Sequence, residues 1–392
     1  MKIGLFGGSF NPVHRHHVRI AEAARDACGL DEVWFIPVHQ PVHKDRHDLL
    51  SYDARRSLVE TAIRDLPGLR ICDVERDLGG LSYTIRTVRA LRDRHPANDF
   101  MLVIGADSLF DLPGWMSAEE LVREIGFAVV VRPGIDADLS LPNSRSGWVP
   151  LEPDPVSSKT VRNEIARGRL RHLPVPPAVM AQIVERGYYD CWGGFFKIWH
   201  DIISARVSTL PAGLRTHVES VARLAAAYAC EFGLDARLGL LGGLAHDLFR
   251  GAGAAEIYGM VDRARIRLGT LEKKVPMLAH GAAAAAFLAT LEPSPPAELC
   301  RAVRWHTFPR PAHAPLTRVL IMADALDPSR GEPERDRIRN SNLSIEQRWK
   351  SVVALKRECA GRADRDKSVA QPVPASAQPS DTLAAGCAWE RK

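Results

Sequence analysis

The first twenty residues constrain the fold more than any other stretch. A short apolar run at residues 3–6 suits a buried parallel strand, and a glycine-rich segment at 7–9 follows it directly. Asn11-Pro12 then forces a turn, and from Val18 the apolar residues recur at helical spacing. Many α/β proteins bind phosphate with a strand, a glycine-rich turn and a helix in this order, because the turn's N–H groups and the helix N-terminus attract anions.

The same stretch also matches a longer motif. The matching residues are Gly7, Gly8, Phe10, Pro12, His14 and His17. They resemble the GxFxPxHxGH signature of the nucleotidyltransferases that make dinucleotide cofactors. In that family the two histidines contact the nucleotide phosphates and stabilise the charge that builds when the α-phosphate is attacked. His16 replaces the motif's glycine, and its ring would crowd the nucleotide or change what the site accepts. On the residues alone, a surface histidine cluster on a βα turn is the alternative.

A basic loop and a polar segment extend this resemblance. The loop at residues 38–45 follows a second apolar run and holds His43 and Lys44. It is similar to a PxxPHK segment of the adenylyltransferases that act on nicotinate mononucleotide, although by itself it would also suit a solvated basic loop. The segment that ends at Thr84 resembles the same branch's SYT segment, which lies near the pyridine nucleotide.

A third buried run, at residues 100–104, ends in Gly105 and Asp107, and Trp115 follows eight residues after the aspartate. The carboxyl ends of parallel strands are where open α/β sheets bind ligands, and an indole offers a plane on which a ring can stack. This spacing is typical of the nicotinate-nucleotide branch, and so is Arg132 after the next apolar run.

The last segment of the first half combines hydroxyl groups with a cation. Ser157 and Ser158 come before a predicted helix, where hydroxyls cap free N–H groups and leave donors for an anion. Together with Arg162 they resemble the family's ISSTxIR pattern, which implies contacts with the outer phosphates of ATP. Lys159 replaces the threonine of that pattern. An ordinary helix N-cap would use the same serines.

The resemblance implies an α/β nucleotidyltransferase domain with a Rossmann-like parallel sheet over residues 1–189. It implies catalytic roles for His14, His17 and Arg162, and nucleotide contacts from Gly7, Gly8, Ser9, Phe10, Gly105, Asp107, Ser157 and Ser158. It also implies acceptor contacts from His43, Lys44, Thr84, Trp115 and Arg132. The substrates would be ATP and nicotinate mononucleotide, with Mg²⁺ as the cofactor.

A change of hydrophobic period near residue 190 indicates a second domain. The chain has 392 residues, which is long for one domain at about 150 residues each. From residue 216 the apolar positions recur at a spacing of three to four without alternating stretches. We predict a linker at 190–196, an all-α helical bundle at 197–350 and a disordered tail at 351–392, which is rich in proline, alanine, serine and charge.

Imidazoles and carboxylates recur inside the apolar helices of this second half. The candidates are His217, His246, Asp247, His280, His306 and Asp324. One helix cannot surround an ion, so such groups on several helices predict a metal site in the core of the bundle. Mixed nitrogen and oxygen ligands suit Fe, Mn or another first-row ion, and Asp247 could bridge two ions. Taken singly, each histidine would more often be a satisfied core residue.

The order H…HD…H…H…D resembles the HD-domain phosphohydrolases. Within them it is most similar to the bacterial branch that cleaves dinucleoside tetraphosphates symmetrically. The resemblance implies that the six residues bind one or two divalent ions and that a metal-activated water attacks phosphorus in a nucleotide substrate. Arg250 and Arg330 would then neutralise phosphate charge. The run RWHTFPRP departs from the HTTG run of that branch and leaves the substrate open.

Composition argues against several other classes of protein. The net charge of +5 is small and dispersed, which does not favour nucleic acid as a partner. No run of about 18 uninterrupted apolar residues predicts a membrane span. The seven cysteines form no CxxC pair and indicate reduced thiols, and Met1 leads directly into the first strand without a signal peptide. We therefore expect a cytoplasmic protein, and the sequence leaves a homo-oligomer open.

Three hypotheses follow for the whole chain. In the first, an adenylyltransferase of NAD biosynthesis is fused to a metal-dependent nucleotide phosphohydrolase. In the second, His16 and Lys159 mark a nucleotidyltransferase for another phosphate or phosphonate acceptor, with CTP as a possible donor. In the third, the first half binds nucleotide without catalysis and regulates the hydrolase.

Overall fold

The computed structural model describes residues 1–41, 49–131, 141–152, 154–310 and 312–369, with side chains described to residue 358. Its contacts divide the chain into two compact units, the first covering Met1–Gly193 and the second beginning at Gly194. This division falls inside the predicted linker at 190–196. In the described part of the chain, no helix is both long enough and apolar enough to cross a membrane.

The first unit is built on a sheet of six parallel strands in the order β3-β2-β1-β4-β5-β6. The strands are β1 (Lys2–Gly8), β2 (Glu32–Pro37), β3 (Leu69–Ile71), β4 (Asp99–Gly105), β5 (Gly126–Val131) and β6 (Gly147–Pro150). The direction of winding reverses between β1 and β4, which opens a crevice at their carboxyl ends. The predicted parallel α/β fold is confirmed.

Eight helices accompany these strands in the described part of the first unit. They are α1 (Arg15–Cys28), α2 (Tyr52–Ile63), α3 (Val74–Leu78), α4 (Thr84–Arg94), α5 (Ala106–Asp111), α6 (Ala118–Glu124), α7 (Ser158–Ala166) and α8 (Pro177–Arg186). The four inner strands, β1, β2, β4 and β5, are largely buried on both faces, which explains why their sequences are continuous apolar runs rather than alternating ones. On one face, Leu5, Leu102 and Phe127 pack with Val88 and Leu91 of α4.

Three boundaries differ from the sequence prediction. Helix α1 begins at Arg15, before the apolar periodicity starts, because His14 is its N-cap. Helix α7 begins directly at Ser158, since the Ser157 hydroxyl accepts a hydrogen bond from the Thr160 N–H at 3.1 Å. Strand β6 was not predicted, because four residues at a sheet edge are too few to show a hydrophobic period.

The second unit is a bundle of helices, as predicted. They are α9 (Phe195–Ser208), α10 (Ala212–Glu231), α11 (Ala236–Ala245), α12 (Ala254–Arg263), α13 (Thr270–Lys274), α14 (His280–Ala289), α15 (Ala297–Arg304), α16 (Pro315–Ala325), α17 (Pro333–Arg339) and α18 (Ile345–Val369). Helices α10 and α11 approach backbone to backbone, because a Cβ at Gly239 or Gly243 would collide with α10 main-chain atoms. Small residues therefore hold together two helices that carry predicted metal ligands.

The predicted disordered tail needs a correction. Helix α18 crosses residue 350 and continues to Val369, so the bundle does not end where the composition changes. Val352 and Leu355 are buried on its inner face, and this packing stabilises the helix. The composition of the whole tail conceals these two residues. Residues 370–392 of the predicted tail lie outside the described part.

Candidate active sites

A cleft of about 660 Å³ at the carboxyl end of β1, called the first cleft below, collects most of the predicted nucleotide-site residues. Its lining includes Gly8, Ser9, Phe10, His14, His17, Ser157, Ser158 and Arg162. It also includes His16 and Lys159, the two positions that depart from the family pattern. Two segments that are far apart in sequence, residues 8–17 and 157–162, therefore meet beside one cavity.

The two motif histidines lie against each other in this cleft. The rings of His14 and His17 are stacked, with centroids 3.7 Å apart. The His14 N–H donates to Nδ1 of His17 at 3.1 Å, so a neutral His17 carries its proton on Nε2 and can donate it. Burial, assisted by the neighbouring His16, lowers the pKa of His14 to about 4. His14 is therefore an uncharged imidazole at neutral pH.

Helix α7 is clamped onto the turn that precedes the histidines. The Ser158 hydroxyl donates to the Pro12 carbonyl at 2.9 Å, and Nη1 of Arg162 donates to the Asn11 carbonyl at 2.8 Å. These bonds join α7 to the turn after β1 and leave other guanidinium N–H groups of Arg162 for an anion. They explain how a serine and an arginine far along the chain come to line the first cleft.

Arg55 is a supporting residue that sequence reasoning missed. Its guanidinium is 1% exposed and donates to the carbonyls of Ser9, Val38 and Leu50 at 2.7, 2.7 and 3.0 Å. It thereby ties the glycine-rich turn to the loops that follow it. A signal was present, because Arg55 lies on the same helical face as the buried Leu58 and Val59 and so had to be buried.

The remaining predicted residues of the first half do not line the first cleft. Gly7 lies within β1, and Gly105 and Asp107 are exposed at the carboxyl end of the neighbouring strand β4. Thr84 begins α4, and Trp115 packs partly buried against the core. His43, Lys44 and Arg132 lie outside the described residues. The acceptor contacts therefore stay predictions.

In the second unit, all six predicted ligands lie together in a buried cluster, called the candidate metal centre below. His217 comes from α10, His246 and Asp247 follow α11 directly, His280 begins α14, His306 follows α15, and Asp324 is on α16. His246, Asp247, His280 and His306 are at most 7% exposed. Convergence from five helices is what the bundle argument predicted.

Asp247 stands between two groups of histidines. Its Oδ2 is 3.6 Å from Nε2 of His217 and 3.5 Å from Nε2 of His246. Its Oδ1 is 3.1 Å from Nε2 of His280 and 3.6 Å from Nε2 of His306. Each oxygen thus belongs to a separate three-residue group whose ligand atoms lie within 4.8 Å of one another. This arrangement suits two cations that share one carboxylate.

Backbone carbonyls orient three of the imidazoles. Nδ1 of His246 donates to the Gly243 carbonyl at 2.6 Å, and Nδ1 of His306 donates to the Val303 carbonyl at 2.8 Å. His280 donates in the same way to the Met277 carbonyl at 2.5 Å. Each bond directs the lone pair of Nε2 toward Asp247, as in protein metal sites where the second ring nitrogen is held by a hydrogen bond.

His217 is oriented by a carboxylate instead. Its Nδ1 donates to Oδ2 of Asp327 at 2.6 Å, while its Nε2 faces Oδ1 of Asp324 at 3.5 Å. Asp327 is 1% exposed and also accepts hydrogen bonds from the Ser329 N–H and hydroxyl. Sequence reasoning missed this role, although the aspartate follows Asp324 by three residues, just past the end of α16.

The electrostatics of this cluster favour a cation. Nε2 of His217, Nε2 of His246 and Oδ1 of Asp247 are buried without a hydrogen-bond partner among the described residues. Burial alone would lower the pKa of His217, but the carboxylates of Asp247, Asp324 and Asp327 outweigh it and raise the pKa to about 10. Burial lowers the pKa of His246 to about 4, which keeps it neutral. Buried nitrogen and oxygen atoms that lack hydrogen-bond partners and stand beside carboxylates are suitable ligands for a divalent metal ion.

Two arginines contact these carboxylates. Nη1 of Arg250 donates to Oδ2 of Asp247 at 2.7 Å, and Nη2 of Arg330 donates to Oδ1 of Asp324 at 2.6 Å. Both were predicted to neutralise phosphate, and both lie close enough to the candidate ligands to meet an anion that binds there.

Comparisons with known proteins match both halves. A cytidylyltransferase-like family model matches residues 5–164, and an HD domain model matches residues 214–329. A probable nicotinate-nucleotide adenylyltransferase of Salinibacter ruber is 38% identical over 193 residues, which are 48% of this chain and 98% of that protein. One from Shouchella clausii is 40% identical over 188 residues, covering 48% of this chain and 96% of that protein.

A solved structure from Clostridium acetobutylicum, described as a predicted HD superfamily hydrolase involved in NAD metabolism, is also similar. The identity is 20% and the TM-score 0.39, over 43% of this chain and 88% of that one, a likeness too distant to bear on function. The predicted family resemblance is confirmed by the curated relatives and the two family models. The chain is an enzyme that belongs to the nicotinate-nucleotide adenylyltransferase family through its first half and carries an HD domain, of the metal-dependent phosphohydrolase family, in its second half.

Proposed function

We propose that the first unit transfers the AMP part of ATP to nicotinate mononucleotide, giving deamido-NAD and pyrophosphate. The observation that carries this proposal is the stacked His14–His17 pair in a cleft that also holds Ser158 and Arg162. The curated adenylyltransferases are 38–40% identical to this half over nearly their whole length. The histidine pair, the hydrogen bonds that join α7 to the turn after β1, and the crevice at the carboxyl ends of the strands together suit a triphosphate.

No covalent intermediate is needed for this reaction, because the acceptor phosphate can attack the α-phosphate of ATP in line. The chain then contributes positioning and charge stabilisation. His17 would donate its Nε2 proton to an α-phosphate oxygen, and Arg162 would bind the outer phosphates. Mg²⁺ would enter bound to ATP, because the described lining of the first cleft includes no carboxylate that could hold it.

Pyrophosphate release from a panel of nucleotides and acceptors tests the proposal. We expect turnover with ATP and nicotinate mononucleotide and its loss in His14→Ala. A preference for CTP or a phosphonate acceptor would instead support the second hypothesis, which His16 and Lys159 favour because both line the cleft. ATP binding without turnover on any acceptor would support a regulatory nucleotide-binding domain.

We further propose that the second unit hydrolyses a nucleotide phosphoanhydride, with a dinucleoside tetraphosphate cleaved symmetrically. The observation that supports it is the position of Asp247 between two groups of histidines. Fe or Mn ions held there would lower the pKa of water so that hydroxide is available near neutral pH. His217, His246, His280, His306 and Asp324 would complete their coordination, and Arg250 and Arg330 would bind the phosphates.

Incubation of the purified chain with diadenosine tetraphosphate and Mn²⁺ tests this second activity. We expect ADP as the product, and its absence while metal is bound would overturn the choice of substrate. If ADP forms, the hydrolase would also be able to remove dinucleotide by-products of the first cleft, which gives a reason for joining the two activities.

A further inference from the structure

Helix α18 reaches the candidate metal centre, although composition had assigned most of it to a disordered tail. Nζ of Lys356 donates to the Thr307 carbonyl at 3.2 Å and lies 3.6 Å from Oδ2 of Asp324. The Lys356 side chain is 18% exposed, and its helix is anchored by the buried Val352 and Leu355. A lysine is therefore held beside a predicted metal ligand by a packed helix.

Lys356 completes a set of three cations that matches the carboxylates of the centre. Arg250, Arg330 and Lys356 contact the carboxylates of Asp247 and Asp324, and Asp327 is the third carboxylate of the cluster. Divalent ions bound there would therefore leave the centre with an excess of positive charge. A partly buried excess of this kind is stabilised by a ligand with several negative charges, such as a polyphosphate chain, more than by a single phosphate.

A pocket of about 270 Å³ lies along the same helix. Pro309 and Arg310 form one wall, and Trp349, Val353 and Arg357 of α18 form the other. The two walls are joined at the Lys356–Thr307 hydrogen bond, and Thr307 is the residue after the predicted ligand His306. Val353 is one helical turn before Lys356, so the pocket and the lysine share a side of the helix.

The chemistry of this pocket suits a nucleoside. Its lining combines apolar surface from Pro309 and Val353 with two arginines, and its volume fits a fragment rather than a whole dinucleotide. Among the described residues, no ion pair joins Arg310 or Arg357 to a carboxylate, and the Arg310 guanidinium lies over the Trp305 ring, 5.1 Å from its centroid. A ring entering here would place its attached phosphates toward Lys356.

We propose that α18 forms the outer part of the hydrolase site. Lys356 binds phosphate groups of the substrate, and the pocket between Pro309 and Val353 takes a nucleoside end, so the ligand class is a nucleoside polyphosphate. This inference rests on the proposed hydrolase function.

Calorimetric binding of inorganic tripolyphosphate to the Mn²⁺-loaded full chain tests the lysine. The part of the binding that disappears in His246→Ala defines the metal centre and separates it from the first cleft. We expect Lys356→Met to weaken that part about tenfold or more, because a charged hydrogen bond to phosphate is lost. Lys356→Arg should retain most of it, and Lys197→Met, which removes an exposed lysine from α9, should leave it unchanged.

Bound Mn²⁺ per chain is measured in the same samples by mass spectrometry. Equal metal content in parent and Lys356→Met, with weaker tripolyphosphate binding, supports the proposal. Unchanged tripolyphosphate affinity in Lys356→Met overturns it, and so does a loss of affinity that follows a loss of metal.

The pocket is tested with Val353→Trp, which fills it without adding charge. We expect this variant to weaken ADP binding about tenfold at the metal centre while tripolyphosphate binding stays within about twofold. Val353→Phe serves if the larger ring prevents folding. Equal effects on the two ligands would overturn the nucleoside pocket. If the chain cleaves no dinucleoside tetraphosphate, these binding results still decide the role of α18. If it does cleave one, and both variants bind tripolyphosphate and ADP as the parent does, the proposed role of α18 is wrong while the proposed hydrolase function stands.

Discussion

The same residue type serves opposite purposes in the two halves of this chain. In the first cleft, His14 is buried without a carboxylate close enough to offset burial, and its pKa falls to about 4. In the candidate metal centre, His217 is also shielded from solvent, but three carboxylates raise its pKa to about 10. The first site therefore offers neutral and cationic donors to an anion, whereas the carboxylates of the second attract positive charge, either a proton on His217 or a metal ion in its place.

The two sites are also supported differently. The first cleft depends on hydrogen bonds from Arg55, Ser158 and Arg162 to the backbone of one turn. The candidate metal centre depends on side chains on or next to five helices, and three of its imidazoles are aligned by carbonyls three residues earlier. A turn at the carboxyl end of a strand can adapt to the shape of a nucleotide, whereas the core of a helical bundle holds metal-binding side chains at fixed separations. The four predictions below test this contrast.

Asp247→Ala should have the largest effect, because it removes the carboxylate that both histidine groups share. We expect the second unit to lose bound divalent metal entirely, while pyrophosphate release by the first cleft is unchanged. Metal content by mass spectrometry is the measurement. Retention of one ion per chain would show that the two groups do not depend on a shared ligand.

His14→Ala should lower kcat for pyrophosphate release by roughly 10²–10³, the usual cost of removing one donor that stabilises developing negative charge. His95→Ala, on the far end of α4, is the control for loss of an imidazole. Steady-state kinetics with ATP and nicotinate mononucleotide provide the measurement. A rise in KM without a fall in kcat would mean that His14 only binds substrate.

Asp327→Asn should weaken metal binding about 10–100-fold, since the carboxylate that orients His217 is lost while the ligand itself remains. Asp262→Asn removes an exposed carboxylate from α12 and should have no effect. Titration of metal-free protein with Mn²⁺ measures both. Parental affinity in Asp327→Asn would assign this aspartate to stability alone.

The last prediction concerns the pH dependence of stability. Because the folded-state pKa of His14, about 4, lies below its ordinary 6.5, the unfolded chain binds the extra proton between these values. His14 therefore costs stability as the pH falls from 6.5 to 4, by about 1.4 kcal/mol per pH unit from this one group. Denaturant unfolding of the parent and of His14→Gln over this range should show a shallower dependence in the variant. Parallel curves would contradict the buried neutral state.

The sequence predicted residues that stand in recognisable motifs and missed residues whose role is defined only by their partners in the fold. His14 and His17 lie within one motif, and the six candidate metal ligands stand in recognisable helical contexts, so both sets were visible. Asp327 was not, because a carboxylate near a helix end has many roles and only its contact with His217 selects one. The helical face of Arg55 indicated its burial, but its role was missed because its partners are backbone carbonyls, which a residue pattern does not show.

Composition misled where local stability comes from packing. The region after residue 350 is polar and rich in proline near its end. Its average composition therefore conceals Val352 and Leu355, two buried apolar residues of α18. Strand β6 was missed for a related reason, since its pairing with β5 rather than its own four residues defines it. None of Thr84, Trp115, Gly105 and Asp107 lines the first cleft. The roles of these residues stay predictions, as do those of the residues that line it.

Parallel assays on three forms of the full chain test the central claim most directly. Pyrophosphate release from ATP and nicotinate mononucleotide, and ADP release from diadenosine tetraphosphate, are measured for the parent, His14→Ala and Asp247→Ala. Two independent sites of opposite charge preference predict that each variant loses only the activity of its own half. A single substitution that abolishes both activities, or a parent that releases neither product, would contradict that account.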